Sequence, residues 1–212
     1  MATPKSIAII IGSTRAVRIG DKVAAWVKEH VERNFLPSSS EVVFPLVDVA
    51  AFRLPVFDEA IVPANIPERG QFAHAHSKAW TAEIARHDGY VLVSPEYNGG
   101  VPGGVKNAID YLRNEWRGRP IAIITYGILG GNQSSDQLAQ VLTRLKLRVA
   151  PTRPKMQFAG GYGPDASAAA EEGVIGEETR KLWDSKFVDQ VLQAAQEVKD
   201  LLGAPESAAA AV

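Results

Sequence analysis

The chain has 212 residues, a length that suits one domain with a sizeable core and no need for a disulfide or metal staple. Its formal net charge of −1 excludes the basic field that holds nucleic acid or an anionic membrane surface. Cysteine is absent, which excludes disulfides and thiol catalysis. No stretch reaches the ~20 apolar residues of a membrane-spanning helix, and the first residues lack a signal-peptide pattern. We therefore expect a cytoplasmic protein.

Strands and helices alternate along the chain. Asp21 is the expected N-cap of the first helix, and Pro45 interrupts the second strand, which predicts an edge position for that strand. Strands are predicted at continuous or interrupted apolar runs, namely 7–11, 42–49, 90–93, 121–124 and a fifth within 147–158. Helices are predicted where apolar residues recur at helical spacing, namely 21–31, 71–86, 103–112, 133–145 and one long helix over 177–202.

The remaining segments are predicted to lack regular structure. Residues 50–68 are proline-rich and residues 159–176 are rich in glycine and alanine, so both are expected to be loops. Residues 1–203 are expected to form a single domain, and 204–212 a disordered tail. Fivefold strand–helix alternation predicts an α/β protein with three α/β/α layers and a parallel sheet. Five strands fit the doubly wound, flavodoxin-like order 2-1-3-4-5, in which ligands bind at the carboxyl ends of strands 1 and 3.

The loop after the first strand has the composition of a phosphate cradle. Ser13 and Thr14 offer hydroxyl donors, while Arg15 and Arg18 offer positive charge, all of them just before a helix N-terminus. The Walker A and Gly-x-Gly-x-x-Gly patterns are both missing here. A solvated turn that caps the helix is the alternative interpretation of the same residues.

The loop after the third strand has an unusual density of glycine and proline. Residues 95–104 contain two prolines and four glycines, which fix the backbone and let it approach a ligand closely. Tyr97 offers a flat surface, and Asn98 offers a donor and an acceptor. An amide-rich loop of this kind suits the edge of an isoalloxazine ring. A plain turn followed by a capped helix explains one or two of the glycines but not the whole run.

Residues 95–110, PEYNGGVPGGVKNAID, resemble the signature of the NAD(P)H-dependent FMN reductase family, which includes quinone, chromate and azo-dye reductases. Residues 12–15, GSTR, resemble the phosphate loop of that family, and the loop after the fourth strand resembles its third flavin-facing loop. The residues around Arg18 are most similar to a fungal quinone-reductase branch. The resemblance implies that the cofactor-binding residues include Ser13, Thr14, Arg15, Pro95, Glu96, Tyr97, Asn98, Gly99, Tyr126 and Gly127. Arg18 is either a second phosphate contact or a solvated side chain.

The resemblance also implies an activity. FMN would be the cofactor, NAD(P)H the electron donor and a small quinone-like molecule the acceptor, with ping-pong hydride transfer. Because this chemistry belongs to the flavin, no catalytic side chain is predicted. A flavodoxin-like electron carrier without its own NAD(P)H oxidation is one alternative, although carriers usually have a strongly acidic face. A flavin-free scaffold with the same fold is another.

Relatives in this family are commonly dimers, so a homodimer or a dimer of dimers is expected. Val101, Val105 and Ile109 are the apolar residues expected to be exposed at its interface. His74 and His76 are two apart on a predicted helix and would not share a face, so they are expected to be solvated and no metal site is predicted. His87 is expected to be a helix-surface or cap residue.

Overall fold

The computed structural model of the protein describes residues 4–35, 42–66 and 71–204. Within these ranges, seven strands form one sheet in which every pairing is parallel. The strands are β1 (Lys5–Ile11), β2 (Val42–Val43), β3 (Leu46–Asp48), β4 (Gly89–Pro95), β5 (Pro120–Gly127), β6 (Arg148–Val149) and β7 (Lys155–Gln157).

The seven strands occupy five positions in the sheet. Strands β2 and β3 both pair with β1 at one edge, and β6 and β7 both pair with β5 at the other. Pro45 separates β2 from β3 while its carbonyl accepts a hydrogen bond from the Ile9 amide at 2.8 Å. Pro154 plays the same part between β6 and β7, because its carbonyl accepts from the Thr125 amide at 2.9 Å. The order of the positions is therefore 2-1-3-4-5, which confirms the predicted flavodoxin-like sheet and its interrupted edge strand.

Helices cover both faces of the sheet. They are α1 (Gly20–Phe35), α2 (Ala75–Ala85), α3 (Gly103–Asp110), α4 (Asn132–Arg144), α5 (Pro164–Glu171), α6 (Glu177–Lys186) and α7 (Val188–Gly203), with short 3-10 turns at Val49–Phe52 and Pro63–Asn65. No helix in the described ranges is both long and apolar enough to cross a membrane.

Alternation along the central strands explains the three layers. In β1, Ile7 and Ile9 belong to the hydrophobic cluster that includes α1, α6 and α7 on one face, whereas Ala8 and Ile10 belong to the cluster that includes α2, α3 and α4 on the other. Successive side chains of a strand point to opposite faces, so a strand covered on both sides must be apolar throughout. Each buried isoleucine contributes about 1.5–3 kcal/mol through removal of its surface from water. The carboxyl ends of β1, β4 and β5 are thereby held side by side.

Three predicted segments differ from the structure. Asp21 lies in the first turn of α1, which begins at Gly20, so it is not the N-cap. Residues 159–176 are not all loop, because α5 lies within them. The single helix predicted over 177–202 is two helices that meet at Phe187, whose φ of −115° departs from helical geometry. Of the tail predicted over 204–212, residues 205–212 lie outside the described residues.

Several side chains are more buried than predicted. Val105 and Ile109 have 2% and 4% exposure and belong to the core under α3, so they are not available to an interface. His87 is buried and not on a helix surface, but it directly follows Arg86, the C-cap of α2, and its amide donates to the Ile84 carbonyl at 3.2 Å. Its Nδ1 lies 2.8 Å from the Ser6 hydroxyl. His74 is exposed, as expected, whereas His76 is partly buried and its Nε2 lies 2.9 Å from Asp58 Oδ1. His74 is the N-cap of α2, and the two rings stack with centroids 5.2 Å apart.

Candidate cofactor site

The carboxyl ends of β1, β4 and β5 open into a cleft of about 370 Å³, a size within the range typical of small-molecule sites. Every predicted cofactor-binding residue except Ser13 and Thr14 lines it. The lining comprises Arg15, Val17, Arg18, Ile19, Pro95, Glu96, Tyr97, Asn98, Gly99, Tyr126, Gly127, Ile128, Leu129, Phe158, Tyr162, Ala166, Ala169 and Ala170. The topology thus brings together three loops that are far apart in the sequence.

The loop between β1 and α1 is packed closely against its neighbours. The Gly12 amide donates to the Val93 carbonyl at 2.9 Å, and a Cβ at Gly12 would lie 2.8 Å from Val105 Cγ2. Ser13 is fully buried, and its Oγ lies 2.7 Å from the Tyr97 hydroxyl, which joins the first loop to the loop after β4. Thr14 points away from the cleft, towards α3, where a Cβ at Gly104 would lie 2.5 Å from its Oγ1.

Two arginines of this loop have opposite environments. Arg18 donates to Asp48 Oδ1 at 2.9 Å and also to the Ser13 carbonyl. The hydrogen bond to Asp48 raises the pKa of Arg18 against the opposing effect of burial, so the Asp48 carboxylate balances this charge. Arg15 is exposed and makes no ion pair with any described residue. Its guanidinium lies over the Tyr97 ring, 3.5 Å from the centroid.

The loop after β4 turns sharply between Tyr97 and Gly100. Each of these residues donates its amide to the carbonyl of the other, at 3.1 Å in both directions. The two residues between them have positive φ angles, 52° at Asn98 and 70° at Gly99. A two-residue turn of type I′ needs positive φ at both central positions, and Asn-Gly is a pair that adopts it readily. The turn exposes Asn98 and Gly99 at the edge of the cleft.

Glu96 connects this loop to the neighbouring helix. Its Oε2 accepts a hydrogen bond from the Ser134 amide, in the first turn of α4, at 3.0 Å. A carboxylate there is favourable, because the N-terminus of a helix carries unpaired amides and positive partial charge. The Glu96 amide donates to the Tyr126 carbonyl at 3.2 Å, so the loops after β4 and β5 are joined as well.

Tyr126 closes the bottom of the cleft. Its ring is 4% exposed, and a Cβ added at Gly20 would lie 2.8 Å from its hydroxyl oxygen. Burial raises the pKa of Tyr126 well above its ordinary value, and the nearby Tyr97 raises it further, so the hydroxyl stays protonated. Gly127 accepts hydrogen bonds from the amides of Gly130 and Phe158, at 3.0 and 3.1 Å, which fixes the turn out of β5.

One wall of the cleft is formed by residues that were not predicted from the sequence to belong to the site. Tyr162 and the alanines at 166, 169 and 170 belong to α5 and to the turn before it, where a loop is predicted. A signal was present, because Pro164 at the first helical position and Asp165 in the first turn are typical of a helix start. Within the described ranges, no cluster of three or more His, Cys, Asp or Glu side chains could hold a metal ion.

The residues present fit a phosphorylated flat ring. The unpaired Arg15 and the amides at the start of α1 provide the positive end, where an anion is favoured. The glycine-rich turns after β4 and β5 bring backbone groups to the cleft, and Tyr97 adds an aromatic face. The remaining charged side chains of the lining, Arg18 and Glu96, are already bonded within the protein.

The model of the family described as NADPH-dependent FMN reductase matches residues 6–161. The chain belongs to the NADPH-dependent FMN reductase family. The match includes all three loops that line the inner part of the cleft and ends before α5. Membership confirms the resemblance seen in the sequence, together with FMN as cofactor, NAD(P)H as electron donor and an oxidoreductase activity.

Similar proteins support the same family. The chain is 46% identical to an NAD(P)H-dependent FMN reductase of a Nectria species, over 94% of this chain and 98% of the relative. It is 36% identical to an NAD(P)H-dependent FMN reductase of Saccharomyces cerevisiae, over 68% of this chain and 76% of the relative. It is 31% identical to a quinone reductase of Pseudomonas putida, over 90% and 94% respectively.

Among solved structures, the flavoenzyme NAD(P)H:(acceptor) oxidoreductase FerB from Paracoccus denitrificans aligns with a TM-score of 0.61 and 22% identity. The alignment covers 91% of this chain and 98% of FerB. At this identity the likeness shows that the two proteins share a fold.

Proposed function

We propose that this protein transfers two electrons from NAD(P)H to FMN bound in the cleft, and then from the reduced FMN to a small quinone-like acceptor. The balanced reaction is NAD(P)H + H⁺ + quinone → NAD(P)⁺ + hydroquinone. The observation that carries the proposal is the unpaired Arg15, which faces a cleft whose other charged side chains are already bonded. When bound, FMN supplies the redox chemistry. Quinone reductases among the relatives support the acceptor class.

The first loop is proposed to hold the phosphate of FMN. Arg15 would swing from the Tyr97 ring to the phosphate, where a charge-assisted and bidentate contact is stronger than a stack. Ser13 would share its hydroxyl between the phosphate and Tyr97. Because the Thr14 side chain lies against α3, its contribution would be the backbone amide. Arg18 is assigned a positioning role, since it ties the Ser13 carbonyl to Asp48.

The second and third loops are proposed to hold the ring. Residues 95–99 would provide backbone groups and the Asn98 amide along its polar edge, and Gly127 would approach from the other side. Tyr126 stays protonated and buried, so its role is to shape the bottom of the cleft rather than to exchange protons. The cleft is open to solvent, which supplies the proton that the acceptor needs besides the hydride. No catalytic side chain is assigned.

Steady-state kinetics of the FMN-loaded protein test this proposal. Under anaerobic conditions, where dioxygen cannot reoxidise the flavin, NADPH oxidation should require a quinone for multiple turnovers. Double-reciprocal plots should be parallel, because the oxidised dinucleotide leaves before the acceptor binds. An electron carrier would bind FMN and still fail to sustain NADPH oxidation with any quinone. A scaffold would remain colourless after incubation with FMN. Either result would sink the proposal.

We also propose a homodimer in the cytoplasm, the absence of cysteine being suited to a reducing compartment.

With Val105 and Ile109 buried, the exposed apolar side chains of the segment before α2 are the better candidates for an interface. These are Val56, Ile61 and Val62, with exposures of 87%, 56% and 52%. Light scattering should give twice the chain mass, and Val56→Asp should shift it towards the monomer. A wild-type monomer at micromolar concentration would contradict the dimer.

A further inference from the structure

Three exposed apolar side chains surround the mouth of the cleft. Val17, Leu129 and Tyr162 have exposures of 47%, 67% and 83%, and all three line the cleft. We refer to these three residues as the outer rim. They come from three different segments of the chain, so their proximity is a product of the fold. Single exposed apolar residues are ordinary, but a group at the opening of a ligand site is typical of a binding surface.

The face of α5 continues the outer rim into the cleft. Ala166, Ala169 and Ala170 lie on one face of this helix, at helical spacing, and all three line the cleft. Neither acidic residue of the helix lines the cleft. Asp165 Oδ2 accepts a hydrogen bond from the Thr179 amide at 2.7 Å, and Glu171 is exposed outside the lining. This face therefore presents small, uncharged side chains.

Helix α5 is held at both ends. Asp165 anchors its first turn to α6, where a Cβ at Gly176 would lie 2.1 Å from the Asp165 carboxylate. Beyond its last turn, Gly173 has a φ of 66°, and a Cβ there would lie 2.9 Å from the Arg18 carbonyl. The helix is thus fitted against the phosphate loop, and its alanines form a fixed wall rather than a lid.

We propose that the outer rim and the alanine face of α5 form the acceptor subsite, and that this subsite favours flat, uncharged quinones of two or more fused rings, with Tyr162 stacked on the ring. The inference rests on the proposed function and names the substrate class for the same cleft. Three alanines in place of larger side chains leave width for a fused ring system. An aromatic side chain at the mouth provides a face that a flat ring can stack upon.

Charge argues against the dinucleotide as the occupant of this surface. NAD(P)H carries an anionic pyrophosphate, which is bound by cations or helix N-termini. The outer rim and the alanine face contain no charged side chain. Of the two arginines that line the cleft, Arg18 is balanced by Asp48, and Arg15 is the residue proposed to bind the phosphate of FMN. An uncharged acceptor suits an uncharged wall, whereas a charged ligand would lose hydration there without compensation.

Variants of Tyr162 test the stacking contact. In the FMN-loaded protein, Tyr162→Ala should lower kcat/KM for a two-ring naphthoquinone by about 10-fold, the size of one lost aromatic contact. Reduction of ferricyanide, which needs no stacking, should change by less than about twofold. Tyr162→Phe should retain the naphthoquinone activity, because the ring and not the hydroxyl makes the contact. Equal losses with both acceptors would overturn the proposal.

Variants of α5 test the width of the subsite. Ala170→Leu should reduce kcat/KM for the naphthoquinone several times more than for a one-ring benzoquinone. The matched control is Ser167→Leu, which adds a leucine at an exposed position of the same helix outside the cleft lining. FMN affinity and the rate of NADPH oxidation in a single turnover should stay constant in Ala170→Leu. Weaker FMN binding would assign the wall to the cofactor and overturn the proposal.

These readouts separate the two proposals. A protein that binds FMN and oxidises NADPH but reduces no quinone refutes the proposed function. A protein that reduces both quinones with the same ratio of kcat/KM in wild type, Tyr162→Ala and Ala170→Leu keeps its function and refutes the acceptor subsite.

Discussion

The two ends of the sheet use polar residues in different ways. At the amino ends of β1 and β4, the polar groups bond to one another. Asp88 accepts from the Lys5 ammonium and from the Ser6 amide, both at 2.9 Å, and the Ser6 hydroxyl lies 2.8 Å from His87 Nδ1. At the carboxyl ends, Arg15 is left with an aromatic ring as its neighbour and no acidic partner in the described part of the chain. Polar groups satisfied internally stabilise the fold, whereas those with spare bonding capacity are available to a ligand.

The largest effect is expected from removal of the unpaired cation. Arg15→Ala should weaken FMN binding by roughly 10- to 100-fold, because one charge-assisted hydrogen bond contributes about 1.5–3 kcal/mol. Titration of FMN fluorescence measures the dissociation constant. Thermal stability without FMN should hardly change, since Arg15 is exposed and makes no ion pair.

An arginine at the amino end provides the control. Arg119 lies 3.7 Å from Asp88, in the cluster that we regard as structural. Arg119→Ala should leave FMN affinity unaltered. Equal effects of the two substitutions on FMN affinity would show that FMN binding depends on the net charge of the protein and not on the position of the arginine. That result would contradict the distinction between a structural end and a ligand-binding end of the sheet.

The next effect concerns packing around the loop between β1 and α1. In Gly20→Ala the new Cβ would lie 2.8 Å from both Ser13 Cβ and the Tyr126 hydroxyl, so one of them must move. Overpacking of this kind should lower the free energy of unfolding by about 1–3 kcal/mol, and FMN binding should weaken with it.

Urea unfolding measures that loss. The matched control is Gly203→Ala in the last turn of α7, where a Cβ would meet no atom within 4 Å. A Gly20→Ala protein as stable as Gly203→Ala would mean that the loop has room that the structure does not show.

The smallest effect is expected at the amino end and depends on pH. Burial lowers the pKa of His87 below its ordinary value of 6.5, in spite of the nearby Glu83. The unfolded chain therefore binds a proton more readily than the folded one. The contribution of His87 to the free energy of unfolding should be fully present above pH 6.5. It should decrease as the pH drops below that value, by at most about 1.4 kcal/mol per pH unit for one proton.

A variant without the imidazole isolates this contribution. The difference between the urea midpoints of wild type and His87→Gln should be smallest at low pH. The reason is that protonation of His87 lowers the free energy of unfolding of the wild type only. FMN affinity should be the same in both proteins above pH 6.5. A change of FMN affinity in His87→Gln would connect the two ends of the sheet and contradict their separation.

The local sequence was sufficient to predict the central strands and most of the residues that line the cleft. Strands β1, β4 and β5 are buried on both faces, so each has an uninterrupted apolar run that leaves little ambiguity. The cleft loops follow those strands directly, and glycine, proline and arginine directly after a buried parallel strand indicate a ligand site. The turn at Asn98 and Gly99 is a local property as well, since both residues need positive φ.

Contacts between distant segments could not be read in the same way. The partner of Arg18 is Asp48, and that of Glu96 is Ser134, and neither pairing has a local signature. The break between α6 and α7 has no signal in the local sequence either. Trp183, Phe187 and Val191 are all buried and follow each other at intervals of four, so the apolar pattern runs through the break as if the helix were continuous.

The interrupted outer strands have a consequence for how chains can meet. Within the residues that the structure describes, each edge of the sheet consists of two pieces of only two or three residues, separated at Pro45 on one side and by 150–154 on the other. An edge of this length offers few free amides and carbonyls in a row, so a strand from another molecule has little to align with. The protein is thereby protected against edge-to-edge aggregation, and helices and loops are left as the surfaces for orderly assembly.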